Sequence, residues 1–247
     1  MNTTNRRGQH EPNYTKYIMG VLATLMVVYF IWMQRAFAPS SPLLKATVEE
    51  GKETELAAAV ASTTKPSVVR SWTRKPGRRY VWIDVEIDGV AAGRVTAELY
   101  MDIVPATAEN FRGLVTGDNA LGYTYKGSKC HRIITGFIVQ CGDYETGKGY
   151  GGKSIYGGKF DDEKAGLQLK HNKRYVLQMA NAGPNTNGAQ FCFMLGPAPH
   201  LNGHHVVFGE VVDGFAVVDK MESSGVKEDG IMLNHNVILK DGGEIFD

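Results

Sequence analysis

The chain has little cysteine and almost no net charge. Three cysteines among 247 residues are too few for a disulfide scaffold, and an odd number cannot all pair with one another. With 27 basic and 26 acidic residues and a formal charge of +1, it offers no strongly basic domain, so nucleic acid is not an expected partner. Neither a G-x-S-x-G elbow nor an H-E-x-x-H run occurs, which removes the common signatures of serine hydrolases and zinc peptidases. His131, His171, His200, His204, His205 and His235 are scattered without metal-ligand spacing, so neither metal nor cofactor is expected. Gly147-Lys148-Gly149-Tyr150-Gly151-Gly152 satisfies G-x-G-x-x-G, but Lys153-Ser154-Ile155-Tyr156-Gly157-Gly158 behind it breaks any helix. A dinucleotide fingerprint needs that helix.

What is present is uneven along the chain. Tyr17 to Met33 is an uncharged, mostly apolar run of 17 residues. As a helix it would be about 25 Å long at about 1.5 Å per residue, enough for a thin bilayer. Lys16, Arg6 and Arg7 precede it and Arg35 follows, so residues 1–16 are expected to stay cytosolic and the bulk to be translocated. The expectation is a single-pass type II signal-anchor of the early secretory route, Golgi or endoplasmic reticulum, with a lumenal domain. A cleaved signal peptide, for which Ala36-Phe37-Ala38 is a cleavage pattern, and a mitochondrial presequence are the alternatives. Residues 34–78 read as a flexible stalk punctuated by Pro39, Pro42, Pro66 and Pro76. At its end Arg70, Arg74, Lys75 and Arg78, with Arg79 just beyond, have no acidic residue between them, which suits a solvated linker or contact with anionic headgroups or glycans.

From residue 79 to 247 the texture is that of a domain. Val81, Ile83, Val85 and Ile87 alternate with Tyr80, Trp82, Asp84 and Glu86, the pattern of a half-buried strand. Asp88-Gly89 turns the chain into an answering strand through Val95, Ala97 and Leu99. Pro105 opens a helix with Ala108, Phe111, Leu114 and Val115 on one face, and Gly117 stops it. Apolar stretches at 130–134, 137–141, 175–180, 190–195, 205–211 and 236–240 complete eight strands, with a second helix at 215–222. The 29 glycines, against about 17 at an average of about 7%, are the turns between them. These elements predict a mainly β fold: a closed eight-stranded antiparallel barrel capped by two α-helices. Eight strands leave an interior that side chains just fill, so a substrate would sit outside.

Three stretches are chemically dense. Cys130-His131-Arg132-Ile133-Ile134-Thr135-Gly136-Phe137-Ile138-Val139-Gln140-Cys141 places an arginine and a glutamine among apolar strand residues. Alternation points Arg132 and Ile134 the same way, and a kink at Gly136 lets Phe137 and Gln140 join that surface. Met179-Ala180-Asn181-Ala182-Gly183-Pro184-Asn185-Thr186-Asn187-Gly188-Ala189-Gln190-Phe191 is a strand that breaks into an Asn/Gly turn and returns. The third is His200-Leu201-Asn202-Gly203-His204-His205-Val206-Val207-Phe208-Gly209.

On these residues the segment from about 79 to 247 resembles the cyclophilins, peptidyl-prolyl cis-trans isomerases. The motifs that carry it are Thr107-Ala108-Glu109-Asn110-Phe111, the block from His131 to Gln140, Gly151 to Gly157, the Ala180 to Gly188 turn, and His205 to Gly209. The resemblance implies rotation about X-Pro bonds, with proline-containing polypeptides as partners and the membrane reached through the N-terminal helix. It assigns the transition-state contact to Arg132, supported by Gln140, with Phe137 and His205 beside them. The proline slot falls on Phe137, Ile138, Cys192, Leu201 and His205. Asn181 is expected to hold the substrate backbone, and Ala180, Ala182 and Gln190 to complete the groove.

The sequence departs from the family at three of these positions. Ile138 replaces a methionine, Cys192 a phenylalanine, and His200 a tryptophan important for cyclosporin recognition. The ring lost at Cys192 removes about 1–3 kcal/mol of apolar contact, so weak or no cyclosporin binding and reduced turnover are expected. Three functions follow: an active isomerase, a proline-peptide binding module on the same scaffold, or a membrane tether.

Overall fold

The computed structural model describes residues 72–226, 229, 233 and 235–246. The apolar run 17–33, the expected cytosolic tail 1–16 and most of the expected stalk 34–78 lie outside the described residues. Among the described residues no helix is long and apolar enough to cross a membrane. The elements run β1 (Arg79–Ile87), β2 (Val90–Leu99), α1 (Pro105–Thr116), β3 (Ser128–Lys129), β4 (Arg132–Ile134) and β5 (Ile138–Cys141). They continue as α2 (Lys164–Gln168), β6 (Val176–Met179), β7 (Phe191–Met194), a 3-10 turn (Pro199–Leu201), β8 (Val207–Asp213), α3 (Phe215–Ser223) and β9 (Val237–Glu244).

All nine strands join one antiparallel sheet in the order β3-β9-β1-β2-β8-β6-β7-β5-β4. The eight-stranded closed barrel expected from the sequence is therefore corrected: the protein is mainly β, a curled sheet whose ladder has two ends. The cause lies in the stretch 128–134, which is two short strands and not one. Cys130 donates its N–H to Val237 O at 2.9 Å and His131 donates to Gln140 O at 3.1 Å. The chain thus crosses from the β9 edge to the β5 edge between β3 and β4, and covalent chain joins the two ends. A disulfide between Cys130 and Cys141 (Cα–Cα 4.0 Å) sits at this junction.

Strand alternation divides the apolar residues into two clusters. One face sends Val81, Ile83, Leu99, Ile133, Val139, Leu177 and Phe193 into the main core with Phe111 and Leu114 of α1. The other face of β5, β6, β7 and β8 carries Ile138, Val176, Cys192, Met194 and Val207 in a separate cluster. The second cluster is what the candidate site is built on.

The end of the expected stalk is packed on the domain. Trp72 stacks on Tyr80 with ring centroids 4.4 Å apart, and Arg74 donates to Ile245 O. Lys75 lies 3.0 Å and Arg78 3.5 Å from the carboxylate of Glu98, which is 2% exposed. Arg78 also reaches Asp102 at 3.1 Å, and Arg79 reaches Glu244 at 3.3 Å. Cations that lack acidic neighbours in sequence therefore find them across the fold, and one of those carboxylates is buried. A buried carboxylate needs such partners.

Candidate functional site

The site rests on a row of paired residues across the outward face of the sheet. Arg132 lies opposite Gln140, Gln140 opposite Cys192, and Cys192 opposite Gln178. One row over, Ile134 faces Ile138 and Ile138 faces Met194. Because these strands are antiparallel and in register, the polar and apolar rows run side by side on the same surface.

Arg132 is held by a chain of amides. Its Nη1 donates to Gln140 Oε1 at 3.3 Å and its Nε to Asp229 O at 2.9 Å. Gln140 Nε2 donates to Gln190 Oε1 at 2.9 Å, and Gln190 Nε2 donates to Gly149 O and Gly151 O, each at 2.9 Å. The loop that supplies those carbonyls is folded around Asp143, which is 1% exposed. Asp143 accepts N–H bonds from Thr146, Lys148, Gly149 and Gly151 at 2.8, 3.2, 2.7 and 3.1 Å. Burial alone would raise its pKa, but the bonds from Thr146, Gly151 and Gly149 outweigh it and hold the carboxyl well below the usual carboxylate range. The Gly-rich run that mimics a dinucleotide motif is thus a carboxylate-centred loop, and it positions Gln190, Gln140 and Arg132 in turn.

The apolar slot lies beside this chain. Its floor is Ile138, Cys192, Met194, Val176 and Val207, and Phe137, Ala180 and Leu201 pack against it half-buried. Phe137 and His200 form the outer wall, with rings 5.6 Å apart and an interplanar angle of 30°. His205 Nδ1 donates to Met179 O at 3.0 Å, which leaves Nε2 pointing away from the strand. Burial lowers the His205 pKa, so the ring is neutral near pH 7. Burial also pushes the Cys192 thiol up to about 12, so it is an uncharged apolar filler and not a reactive thiolate.

The Asn/Gly turn forms the opposite rim. Asn181 Nδ2 donates to His204 O at 2.8 Å, and the Ala182 N–H donates to Thr186 Oγ1 at 2.9 Å. Asn110 of α1 pins two motif loops at once: its Nδ2 donates to Gly188 O and its Oδ1 accepts from Ile155 N–H, both at 2.9 Å. A Cβ at Gly188 would meet Gly152 O at 2.4 Å, so only glycine lets these loops meet. Glu163 accepts from the N–H groups of Ala106 and Thr107 at 3.2 and 2.7 Å, satisfying free donors at the start of α1.

Of the residues singled out from the sequence, Arg132, Gln140 and Gln190 lie in the amide chain, and Phe137, Ile138, Ala180, Cys192 and Leu201 share the apolar cluster, with His200 against Phe137. His205 is bonded to Met179 O and Asn181 to His204 O, while Ala182 meets Thr186 within the Asn/Gly turn. Met194, Val176, Val207 and Gln178 are not among the residues the sequence assigns to the site, yet they pack or pair beside Cys192 and Ile138. Met194 follows from Cys192 at i+2 on the same strand face, and Gln178 shows the same signal as Gln140, a lone amide in an apolar strand. Among the described residues no group of three or more His, Cys, Asp or Glu side chains is placed to hold a metal ion.

Comparison with known proteins agrees with this geometry. The chain is 47% identical over 171 residues to the peptidyl-prolyl cis-trans isomerase cyp11 of Rhizopus delemar, an alignment covering 67% of this chain and 50% of that relative. The chain thus aligns with about half the length of the curated relative it matches. A family model described as cyclophilin type peptidyl-prolyl cis-trans isomerase/CLD matches residues 82–242, which include Arg132, the amide chain and the slot. The chain belongs to the cyclophilin-type peptidyl-prolyl cis-trans isomerase family.

Proposed function

We propose that the domain is a working isomerase that rotates X-Pro peptide bonds in proline-containing polypeptides. The observation that carries this is the Arg132 guanidinium, held by Gln140 beside the apolar cluster of Ile138, Cys192 and Met194 with Phe137 and Leu201 packed against it. Twisting a peptide bond costs about 18–20 kcal/mol in lost resonance, and no bond need break. As the amide twists, the prolyl nitrogen becomes pyramidal and recovers its lone pair. A guanidinium that donates to this nitrogen binds the twisted amide more tightly than either planar form, which is differential transition-state binding. Because Gln140, Gln190 and the Asp143 loop already hold Arg132, little reorganisation is needed at the moment of reaction. Phe137, Ile138, Leu201 and His205 take the ring, Asn181 the flanking backbone, and Ala180, Ala182, Gln190, Cys192 and His200 complete the groove.

The small floor residue Cys192 favours a second reading, a proline-peptide binding module with weakened catalysis. A protease-coupled isomerisation assay separates them: the isomerase accelerates cis-to-trans conversion catalytically, whereas the binding module gives none above the uncatalysed rate. Cys192 and His200 also underlie the expectation of weak cyclosporin binding; near-stoichiometric capture in a fluorescence titration would overturn it.

The proposed setting is the secretory route, Golgi or endoplasmic reticulum, with residues 17–33 as a type II signal-anchor and the domain lumenal. The basic flank before the run supports it, and so does the Cys130–Cys141 bridge, since structural disulfides are rare in reducing compartments. Imaging a C-terminal fluorescent fusion with protease protection tests this. Protection until the membrane is permeabilised is expected, and cleavage in intact membranes would overturn the lumenal assignment.

A further inference from the structure

A cavity of about 590 Å³ is lined by the Gly-rich loop, by Lys129 of β3 and by the residues that lead into β9. It shares no lining residue with the apolar slot. Its charge is one-sided. Asp88 is the carboxylate in its wall, and both oxygens are engaged: Oδ1 accepts from the Asn236 N–H at 2.7 Å and Oδ2 from His235 Nδ1 at 2.6 Å. Lys129 and Lys148 also line the cavity, both are exposed, and among the described residues neither ammonium meets a carboxylate.

The two lysines belong to one wall. The Lys129 stem lies against Gly147, where a Cβ would stand 3.0 Å from its Cε, and Lys148 follows in the chain. Burial is the largest cause of the lowered His131 pKa; Asp143 opposes it, and Arg132 and Lys129 add to it. The Lys129 charge is therefore felt at the His131 ring, which also lines the cavity. Because the whole chain carries only +1, the excess of cations here is local. The wall is also preformed. The N–H groups of Lys148, Gly149 and Gly151 donate to Asp143 Oδ2 at 3.2, 2.7 and 3.1 Å, so the backbone on both sides of Tyr150 is fixed. The Tyr150 side chain nevertheless stays in the open, with the residue 88% exposed, and Leu233 adds an aliphatic side chain to the lining.

We infer that this cavity docks an acidic segment of a partner polypeptide, with Asp or Glu carboxylates on Lys129 and Lys148 and an apolar residue against Tyr150 and Leu233. Three features point to that occupant. Two cations without carboxylates are complementary to an anionic partner. The volume is that of an extended ligand and not of one small ion. The cations share their wall with an aromatic ring and a leucine, a mixture that suits a peptide better than a sulfated glycan, and exposed tyrosine is a common anchor at protein interfaces. A fixed backbone lowers the ordering cost of binding. The site is separate from the slot, so it does not depend on how Arg132 acts.

The test uses the full-length chain and a short fluorescent peptide that contains no proline but several glutamates and one phenylalanine. Its counterpart has glutamine in place of each glutamate. Fluorescence anisotropy gives Kd for both, and NMR shifts locate the binding. The acidic peptide is expected to bind about fivefold or more tightly than the neutral one, less so as salt rises from about 0.05 to about 0.5 M. Shifts should centre on Lys129, Lys148 and Tyr150, and Lys129→Gln/Lys148→Gln should remove the difference between the peptides. Equal Kd values, a difference that survives the double variant, or displacement by excess prolyl peptide would overturn the inference. Tighter binding of a sulfated oligosaccharide at the same residues would overturn the assigned occupant. Comparing the two peptides within each protein cancels any general weakening of the variant, and the wild-type shifts and salt dependence decide the matter where it does not fold. A chain that turns over no prolyl peptide fails as an isomerase and leaves this comparison untouched.

Discussion

Reducing the Cys130–Cys141 bridge perturbs the junction that joins the two ends of the sheet. The cysteines are separated by 11 positions, and the chain-entropy relation for a loop of that size gives about 3 kcal/mol of stabilisation through the unfolded state. For a domain of this size about 1 kcal/mol moves Tm by about 2–4 °C, so reduction should lower Tm by about 6–12 °C. The bridge belongs to the main core, as Cys130 and Cys141 are 1% and 0% exposed, whereas Arg132 and Gln140 point outward. Isomerisation below the transition is therefore expected to change far less than stability. The assay is thermal unfolding of oxidised and reduced protein, with thiol titration to establish each state and a Cys130→Ala/Cys141→Ala variant as the reductant control. Oxidised protein should show one titratable thiol after denaturation, Cys192. Three thiols before any reductant, or equal Tm values once reduction is complete, would refute the reasoning.

Other perturbations give separable outcomes. Deleting the chain up to residue 78, or making Lys75→Ala/Arg78→Ala, strips cations from Glu98, which is 2% exposed. A loss of about 2 kcal/mol or more is expected in chemical denaturation, and an unchanged midpoint would show that the segment only drapes over the domain. Cys192→Phe should overpack against Gln178 and cost about 1–3 kcal/mol, with Cys192→Phe/Gln178→Ser recovering most of it; equal losses would refute the shared volume. The pKa values of His131, His171 and His205 are each lowered, burial being the largest cause, from the ordinary 6.5. The unfolded chain then binds protons that the native state does not, so stability is full above about pH 6.5 and declines as pH falls below it. Denaturation midpoints at pH 7.5 and 5.5 that coincide would contradict this.

Local signals were legible in the sequence and distant ones were not. The β1–β2 hairpin followed from alternation and Asp88-Gly89, both of which take positive φ in the turn (51° and 80°). Helix α1 was bounded by its first-turn Pro105 and by Gly117 in the left-handed conformation. Alternation and the Gly136 kink brought Arg132 and Gln140 to one surface, whereas Cys192 joined them only through the family resemblance, because β5 and β7 meet through long-range pairing. The division of 128–134 into β3 and β4 is not legible locally: β3 is the polar pair Ser128–Lys129, which no apolar pattern marks as a strand, and only pairing with β9 defines it. The packing of residues 72–78 was hidden for a similar reason: Arg78 and Lys75 look unpaired until the fold brings Glu98 and Asp102 to them. Gln178 carries the same local signal as Gln140, a lone amide in an apolar strand, but its place beside Cys192 follows only from the pairing of β6 with β7.

The central claim is that Arg132 speeds the twist and does little to bind the planar substrate. NMR exchange on a prolyl peptide measures both quantities at once for wild type and Arg132→Ala. The account expects on-enzyme interconversion to fall by about 10²-fold or more while peptide Kd moves by less than about fivefold. An undiminished interconversion rate, or a loss that appears wholly as weaker binding, would contradict it.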